Sequence, residues 1–377
     1  MKNWKIVKLG EIAEISRGGS FQKKDFCDSG VPCIHYGQIY TRYNFFTDNA
    51  LTFINEEVAE RQKFAVKNDI IMAVTSENID DVCKCVAWLG EEKIAVSGHS
   101  VIIHHNQNSK YLSYYFHSGM FYNQKKKLAH GTKVIEMTPD KIQSIKVLLP
   151  PIEEQNEIAD ILSTQDKLIE LKQKLIDQKK LQKKWLMQNL LTGKIRLDGF
   201  SDEWKKVKLS DTCKFLDNLR KPVKENERIS GCYPYYGASG IIDYVDDYIF
   251  EGEYILLGED GANIIMRSTS LAFKVKGKIW VNNHAHVLQL KSNYNIDFIV
   301  NVLESIHYGK YNSGTAQPKL YREVCENIIL IVPLLAEQTA IGEILSAQDK
   351  EIELLEKELE QEKLKKKSLM QFLLSDV

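Results

Sequence analysis

Gln155-Asn-Glu-Ile-Ala-Asp-Ile-Leu-Ser163 and Gln338-Thr-Ala-Ile-Gly-Glu-Ile-Leu-Ser346 are two copies of one stretch. The first continues through Gln165-Asp-Lys-Leu-Ile-Glu-Leu-Lys172 to Leu186-Met-Gln-Asn-Leu-Leu191. The second continues through Gln348-Asp-Lys-Glu-Ile-Glu-Leu-Leu355 to Leu369-Met-Gln-Phe-Leu-Leu374. Every position in the second copy lies 183 residues after its counterpart, with no gap. Such a match implies an internal duplication, and a chain of 377 residues then parses into two related halves.

Within the first copy Leu162, Ile169, Ile176, Lys183 and Leu190 fall seven apart, with Ile158, Gln165, Lys172, Lys179 and Leu186 as a second row. Alternating spacings of three and four make a coiled-coil seam on a helix. The second copy repeats it with Leu345, Ile352, Leu359, Lys366 and Leu373 beside Ile341, Gln348, Leu355, Glu362 and Leu369. Pro150-Pro151 and the carboxylates Glu153, Glu154 and Glu157 mark the start of the first helix, because acidic side chains complement the unpaired N–H groups of a first turn. Gly193 marks its end, since glycine accepts the left-handed cap conformation. A run of about 37 residues spans roughly 55 Å, and a half-apolar helix of that length needs a partner. A parallel pairing would force the chain back over the full helix length. The expected arrangement is therefore antiparallel, with a globular domain at either end of a rigid spacer and a pseudo-two-fold axis between them.

The globular segments restart alike. Trp204-Lys-Lys-Val-Lys-Leu209 repeats Trp4-Lys-Ile-Val-Lys-Leu9 at an offset of 200, and by Gly314-Thr315, which matches Gly131-Thr132, the offset has fallen to 183. Between about Asp211 and Asn312 the halves hardly resemble each other in sequence. Strands are expected over Trp4–Leu9, Asp69–Val74 and Ser100–Ile103, and a helix over Lys110–Lys127 with Leu112, Tyr115, Phe116 and Met120 on one face. Arg17–Ser20, Asp28–Gly30 and His130–Lys133 read as loops. The expected fold class is α+β: two α/β domains, 1–150 and 194–333 with its linker, separated by two long antiparallel coiled-coil helices, 151–193 and 334–377.

A hydrophobic fraction of 44% supports real cores, and 50 Lys+Arg against 51 Asp+Glu leave a net charge of −1. A nucleic-acid partner would therefore have to meet local basic faces. Seven scattered cysteines and an opening Met1-Lys-Asn-Trp-Lys predict reduced thiols in the cytoplasm. No window approaches the roughly 18 to 20 consecutive apolar residues of a membrane span.

With these pieces in place the chain resembles the DNA-specificity subunit of type I restriction–modification systems. The likeness rests on Trp4-Lys-Ile-Val-Lys-Leu-Gly10, Pro151-Ile-Glu-Glu-Gln-Asn-Glu-Ile-Ala159, Leu190-Leu-Thr-Gly-Lys-Ile-Arg196 and Tyr233-Pro-Tyr-Tyr-Gly-Ala-Ser-Gly240. Gly258-Glu-Asp-Gly-Ala262 and Trp280-Val-Asn-Asn-His-Ala-His286 are similar to segments of that family's target recognition domains. The resemblance implies that each recognition domain reads one half of a split site in double-stranded DNA and that the helices set the unread spacer. It also implies docking of two methyltransferase (modification) subunits and, beyond them, restriction/translocase subunits. S-adenosylmethionine, ATP and Mg would belong to those partners, leaving this chain without a cofactor and without catalysis.

The motif inventory points the same way. The sequence has no Asn/Asp-Pro-Pro-Tyr/Phe adenine-methylation motif and no Walker phosphate loop. Gly258-Glu-Asp-Gly261 reads as a turn. Cys83-Lys-Cys85 lacks a second ligand pair at zinc spacing and reads as core packing, and His284-Ala-His286 likewise lacks partners at metal-site spacing.

Reading bases needs amide, hydroxyl and guanidinium groups at base edges plus cations on phosphates. The candidates in the first domain are Arg17, Ser20, Lys23, His35, Tyr36, Gln38, Thr41, Arg42, Thr132 and Lys133. In the second they are Arg220, Lys221, Tyr236, Ser239, Asn263, Arg267, Asn282, Asn283, His284, Thr315, Gln317 and Lys319. All are expected in loops or at strand ends, with the matching loops Gly131-Thr-Lys133 and Gly314-Thr-Ala-Gln317 foremost. The lysines Lys179, Lys180, Lys183 and Lys184 recur as Lys363, Lys365, Lys366 and Lys367. They read as a solvated face or as contacts to spacer phosphates or a partner. Lys183 and Lys366 sit on the seam itself and are expected to weaken pairing there.

Overall fold

The structure, a computed structural model, describes residues 4–314 and 317–375. It divides into two compact units, Met1–Lys172 with Glu358–Val377, and Gln173–Lys357. Each unit combines one globular domain with a stretch of both long helices.

The first unit is built on a five-stranded sheet that includes β1 (Ala13–Arg17) at one edge, β2 (Ile70–Ala73), β3 (Cys85–Trp88) and β4 (Ser100–His105), in the order β1-β4-β2-β3. These four are antiparallel neighbours, with Val101 opposite both Arg17 and Met72. β2 is apolar at every position because both of its faces are covered. Alternate side chains enter different cores: Ile70, Met72, Cys85, Ala87, Val101 and Ile103 share one cluster, and Ile71, Ala73, Val86, Trp88 and Ile102 share another. A second five-stranded sheet, which includes Val31–Ile34, Lys63–Ala65 and Ile94–Val96, lies beyond that second cluster.

The expected helix over Lys110–Lys127 is two helices, Ser109–Phe116 and Gly119–Leu128. Ser118 interrupts it by accepting a hydrogen bond from the Phe121 N–H, so a residue type that caps helices overrides the apolar period. Cys83 and Cys85 are buried in the core, and burial pushes both thiols up to about 12. Burial likewise holds the His105 and His117 rings neutral, down to about 4. An unfolded histidine gains its proton near pH 6.5, so this unit loses stability as pH falls from 6.5 towards 4. His117→Gln is expected to flatten that acid limb in pH-dependent denaturation; an unchanged limb would remove His117 as a cause.

In the second unit β5 (Cys213–Phe215), β6 (Phe250–Gly258), β7 (Ala272–Val281) and β8 (Ala285–Leu290) run in the order β5-β8-β6-β7. Cys213 pairs with Leu290 as Ala13 pairs with His105, and Gly258 pairs with Ala285 as Ala73 pairs with Ser100. The stretch that hardly matches in sequence therefore keeps the same antiparallel sheet. The divergence lies outside it: here a hairpin of Ser230–Gly237 and Gly240–Val245 extends the sheet through a parallel pairing with β7.

The repeated motif has a repeated task. Gln155 and Gln338 are buried, and each bonds the carbonyl before its helix, Pro150 or Pro333, at 2.9 Å. Their side-chain oxygens accept from the N–H of the residue capping a domain helix, Asn108 at 3.1 Å and Asn295 at 3.0 Å. Trp4 donates to Glu154 and Trp204 to Glu337 in the same way. Each long helix, Ile152–Leu190 and Leu335–Leu373, is 39 residues long and is bolted at its first turn to the domain that precedes it. Gly193, at φ 68, closes the first helix.

The seam rows divide their labour. Ile158 and Leu162 enter the core of the first unit with Leu374, and Ile341 and Leu345 enter that of the second with Leu190 and Leu191. Leu373 packs at the edge of the first of these cores. Ile176, Ile352 and Leu359 are buried and Ile169 half-buried, all outside the domain cores. The helices pair antiparallel within each unit: as the first advances from Asp166 to Lys172, its partners retreat from Lys366 to Glu358. In the second unit Lys179 meets Glu351 and Lys183 meets Asp349.

The seam lysines do not weaken the pairing as expected. Lys183–Asp349 and Asp166–Lys366 are the same ion pair generated twice by the repeat. Lys366 also lies over the Phe45 ring at 3.9 Å. Lys180, Lys363 and Lys365 are ion-paired as well, to Glu356, Glu360 and Glu362.

Candidate nucleic-acid interface

In the first domain the chain leaves β1 through Gly18-Gly19 into Ser20–Lys23. Gly19 donates to the Val96 carbonyl, and the Gln62 side chain accepts from the Ser20 N–H at 2.7 Å. A Cβ on Gly18 would stand 2.1 Å from the Ser97 carbonyl oxygen, so only glycine permits this close approach. The result is an open cleft of about 830 Å³. Arg17, Lys23, Arg61 and Lys63 supply its charge, and among the described residues no carboxylate lines it.

Its floor is aromatic: His35 packs against Tyr36 in a tilted pair at 4.3 Å, and Tyr36 meets His99 edge-on at 4.9 Å. Burial, with Lys23 and His99 nearby, holds His35 neutral, down to about 4, and its Nδ1 accepts from the Gly37 N–H. Tyr36 is half-buried and His99 exposed, and cations around these partly open rings suit a polyanion that carries stackable bases.

Of the ten candidates in this domain, five line the cleft: Arg17, Ser20, Lys23, His35 and Tyr36. Tyr36, Gln38 and Thr41 lie on a short helix, Tyr36–Thr41, rather than in the expected loop, because His35 caps it. Gln38 is occupied internally, accepting from the His35 N–H and donating to Thr52. The Thr41 hydroxyl bonds the Gly37 carbonyl, and Arg42 is exposed. Thr132 and Lys133 are exposed on a loop joined to the cleft by the Arg17–Glu136 ion pair at 3.2 Å. Arg61, Lys63 and His99 also line the cleft, and they were not among the sequence candidates. They stand far from the glycine loop in sequence, and only the pairing of Ile94–Val96 with Val31–Ile34 and Lys63–Ala65 brings them to it.

The matching glycines make the same close approach. A Cβ on Gly131 would meet the Val134 carbonyl oxygen at 1.9 Å, and one on Gly314 would meet the Gln317 carbonyl oxygen at 1.9 Å. These are corresponding atoms in the repeat. Thr315 lies outside the described residues.

The second domain keeps many of its candidates for itself. Arg220 donates to Glu259 and to the Ala285 carbonyl, Arg267 holds Glu304, and Asn263 closes its own turn through Thr269. Asn282 is buried and caps His284, whose ring pairs with Asp260 at 2.9 Å. Tyr236 is half-buried at the end of a strand, and Asn263 begins a short helix rather than lying in a loop or at a strand end. Lys319 reaches Glu259 at 3.3 Å. Lys221, Ser239, Asn283 and Gln317 are exposed. Among the described residues no group of three or more His, Cys, Asp or Glu could hold a metal ion, and no helix is long and apolar enough to cross a membrane.

Duplicated sheet domains, each tied to a long helix and each offering glycine-turned polar loops, define a class of two-part, loop-presenting proteins. The chain belongs to the type I restriction modification DNA specificity domain family, whose model matches it twice, over residues 1–180 and 201–363. A Haemophilus influenzae chain named as a type I restriction enzyme specificity subunit is 38% identical over 151 residues, or 40% of this chain. A type I restriction enzyme specificity subunit of Methanocaldococcus jannaschii is 29% identical over 206 residues, or 53% of this chain. The matches span 38% and 48% of those relatives' own lengths, less than half of either. The crystal structure of a type I restriction–modification S subunit from M. genitalium shares the fold, with a TM-score of 0.67 at 16% identity, covering 100% of this chain and 97% of that one.

Proposed function

We propose that this chain is the non-catalytic, sequence-specific DNA-binding subunit of a type I restriction–modification complex. Each globular domain, 1–150 and 194–333, reads one half of a bipartite site, and the helices, 151–193 and 334–377, set the distance between the halves. The observation that carries this reading is the carboxylate-free cleft of Arg17, Lys23, Arg61 and Lys63 over an aromatic floor, in a chain whose net charge is only −1. Cations position a duplex on its phosphates, while the neighbouring exposed Thr132, Lys133 and, in the other domain, Asn283 and Gln317 supply groups for base edges.

Two modification subunits fit the duplicated surface of the long helices. Leu171 and its repeat mate Leu354 are 52% and 51% exposed, and Leu181 and Leu364 are 67% and 65% exposed. Apolar side chains held in water at matched positions suit two copies of one partner. Methyl transfer and ATP-driven restriction would then belong to the partner subunits, with their S-adenosylmethionine, Mg and ATP.

The test is to map methylated adenines in DNA from cells carrying the complete system, before and after exchange of residues 1–150 for another recognition domain. One half of the target should change and the other half and the spacer should not. A change in both halves, or no preference of the assembled complex between specific and random duplexes, would overturn the proposal.

A further inference from the structure

His286 lies on β8 and is 1% exposed, with both ring nitrogens on acceptors: Nδ1 on the Asp217 carboxylate at 2.7 Å and Nε2 on the Leu320 carbonyl at 2.8 Å. A neutral ring has one N–H, so donating to both requires the imidazolium. Burial works against that charge, but the Asp217 carboxylate and the Cys325 sulfur outweigh it and carry the ring up to about 10. The second oxygen of Asp217 accepts from the Val287 N–H, and Arg220 stands 3.7 Å from it. Arg220 passes to Glu259 at 2.6 Å, and Glu259 to Lys319 at 3.3 Å. Three cations and two carboxylates thus form one chain of contacts ending on residues 319 and 320.

Those residues form the outgoing leg of the segment that carries Gln317. Its backbone is tied down beside the network: Leu320 donates to the Glu259 carbonyl at 2.7 Å and Gly261 to the Pro318 carbonyl at 3.1 Å. The Asn312 side chain accepts from both Gly314 and Lys319, joining the incoming leg to the outgoing one.

In the first domain apolar residues take the most buried positions of this network, while Arg17 takes that of Asp217 and pairs with Glu136. By strand register Val101 stands where His286 stands, and Val74 where Glu259 stands. The same backbone bond is present there, from the Met137 N–H to the Val74 carbonyl at 2.9 Å, among apolar side chains. Burying ions is costly relative to apolar packing, and one return documented in other proteins is a unique geometry.

We propose that the His286–Asp217–Arg220–Glu259–Lys319 network is a positioning device that sets where the Gln317 segment stands and so tunes specificity at the second half-site only. The inference rests on the DNA-reading role proposed above. His286, Asp217 and Glu259 are positioning residues, acting on Gln317 through Pro318, Lys319 and Leu320.

The experiment uses the assembled methyltransferase complex and compares its methylation rate on duplexes mismatched in one half-site or the other. Wild-type protein is the control: if it discriminates in neither half, the DNA-reading role fails, and with it the basis of this inference. Two variants are compared, His286→Val with Asp217→Val, which buries no lone charge, and His286→Gln, which keeps one donor. The double variant should remain folded and lose on the order of tenfold in discrimination at the second half-site, with the first unchanged. His286→Gln should lose less. Wild-type discrimination at the second half-site in a folded variant, or equal losses at both halves together with a lowered melting temperature, would overturn the positioning role. If the double variant does not fold, His286→Gln decides by the same two readings.

Discussion

Arg61→Glu combined with Lys63→Glu is expected to abolish modification of the target while leaving the chain folded. Both side chains are exposed, so their replacement removes little packing, and surface changes of this kind usually alter stability by no more than about 0.5 kcal/mol. Their electrostatic effect is larger. Two reversed charges in a cleft otherwise lined by Arg17 and Lys23 turn attraction for phosphate into near cancellation. Affinity for a cognate duplex should fall on the order of 10²-fold near physiological salt, and the slope of log K against log salt should shrink by about two or more. Fluorescence anisotropy of the assembled complex over a salt series measures both quantities. An unchanged slope would show that phosphates do not enter this cleft, and the first domain would have to meet DNA through the Thr132–Lys133 loop alone.

The second large effect is on stability. Gln155→Leu is expected to cost about 2–6 kcal/mol, because the glutamine satisfies one buried and one part-buried backbone group that leucine would abandon. The Asn108 N–H and the Pro150 carbonyl would each lose their partner, and an orphaned buried group costs roughly 1–3 kcal/mol. Against a total stability of roughly 5–15 kcal/mol that loss is a large fraction. Gln338→Leu should cost a similar amount, since it strips the Asn295 N–H and the Pro333 carbonyl in the same way. Exposed Gln173→Leu is the control and should be close to neutral. Urea denaturation midpoints of the three variants test the set. A loss below about 1 kcal/mol in Gln155→Leu would mean that the first turn of the helix finds other partners.

Much of this organisation was readable from the residues. The constant offset of 183 between Gln155 and Gln338 announced two equivalent helices, and the heptad rows announced the side chains they bury. Their antiparallel sense followed from chain connectivity. The helix break at His117–Ser118 was missed because the apolar period runs across it and only the Ser118 cap contradicts it. The seam lysines pair with Asp349 and Asp166 on the opposite helix, and helical spacing within one chain segment does not reveal a cross-helix ion pair.

The candidate interface divides along the same line. Arg17, Ser20 and Lys23 were visible beside a glycine pair, which marks a loop that can approach other backbone closely. Arg61, Lys63 and His99 join them only through strand pairing across distant parts of the chain. Arg220, Arg267 and Asn282 are of the residue types that serve DNA contacts, yet the fold turns them inward onto Glu259, Glu304 and His284.

Local chemistry, repeated in order, was enough to determine duplication, helix length, helix pairing and the family. Which polar side chains remain available to a partner was decided by tertiary structure alone. A guanidinium serves water, phosphate or a buried carboxylate equally well, and only the three-dimensional neighbours choose among them.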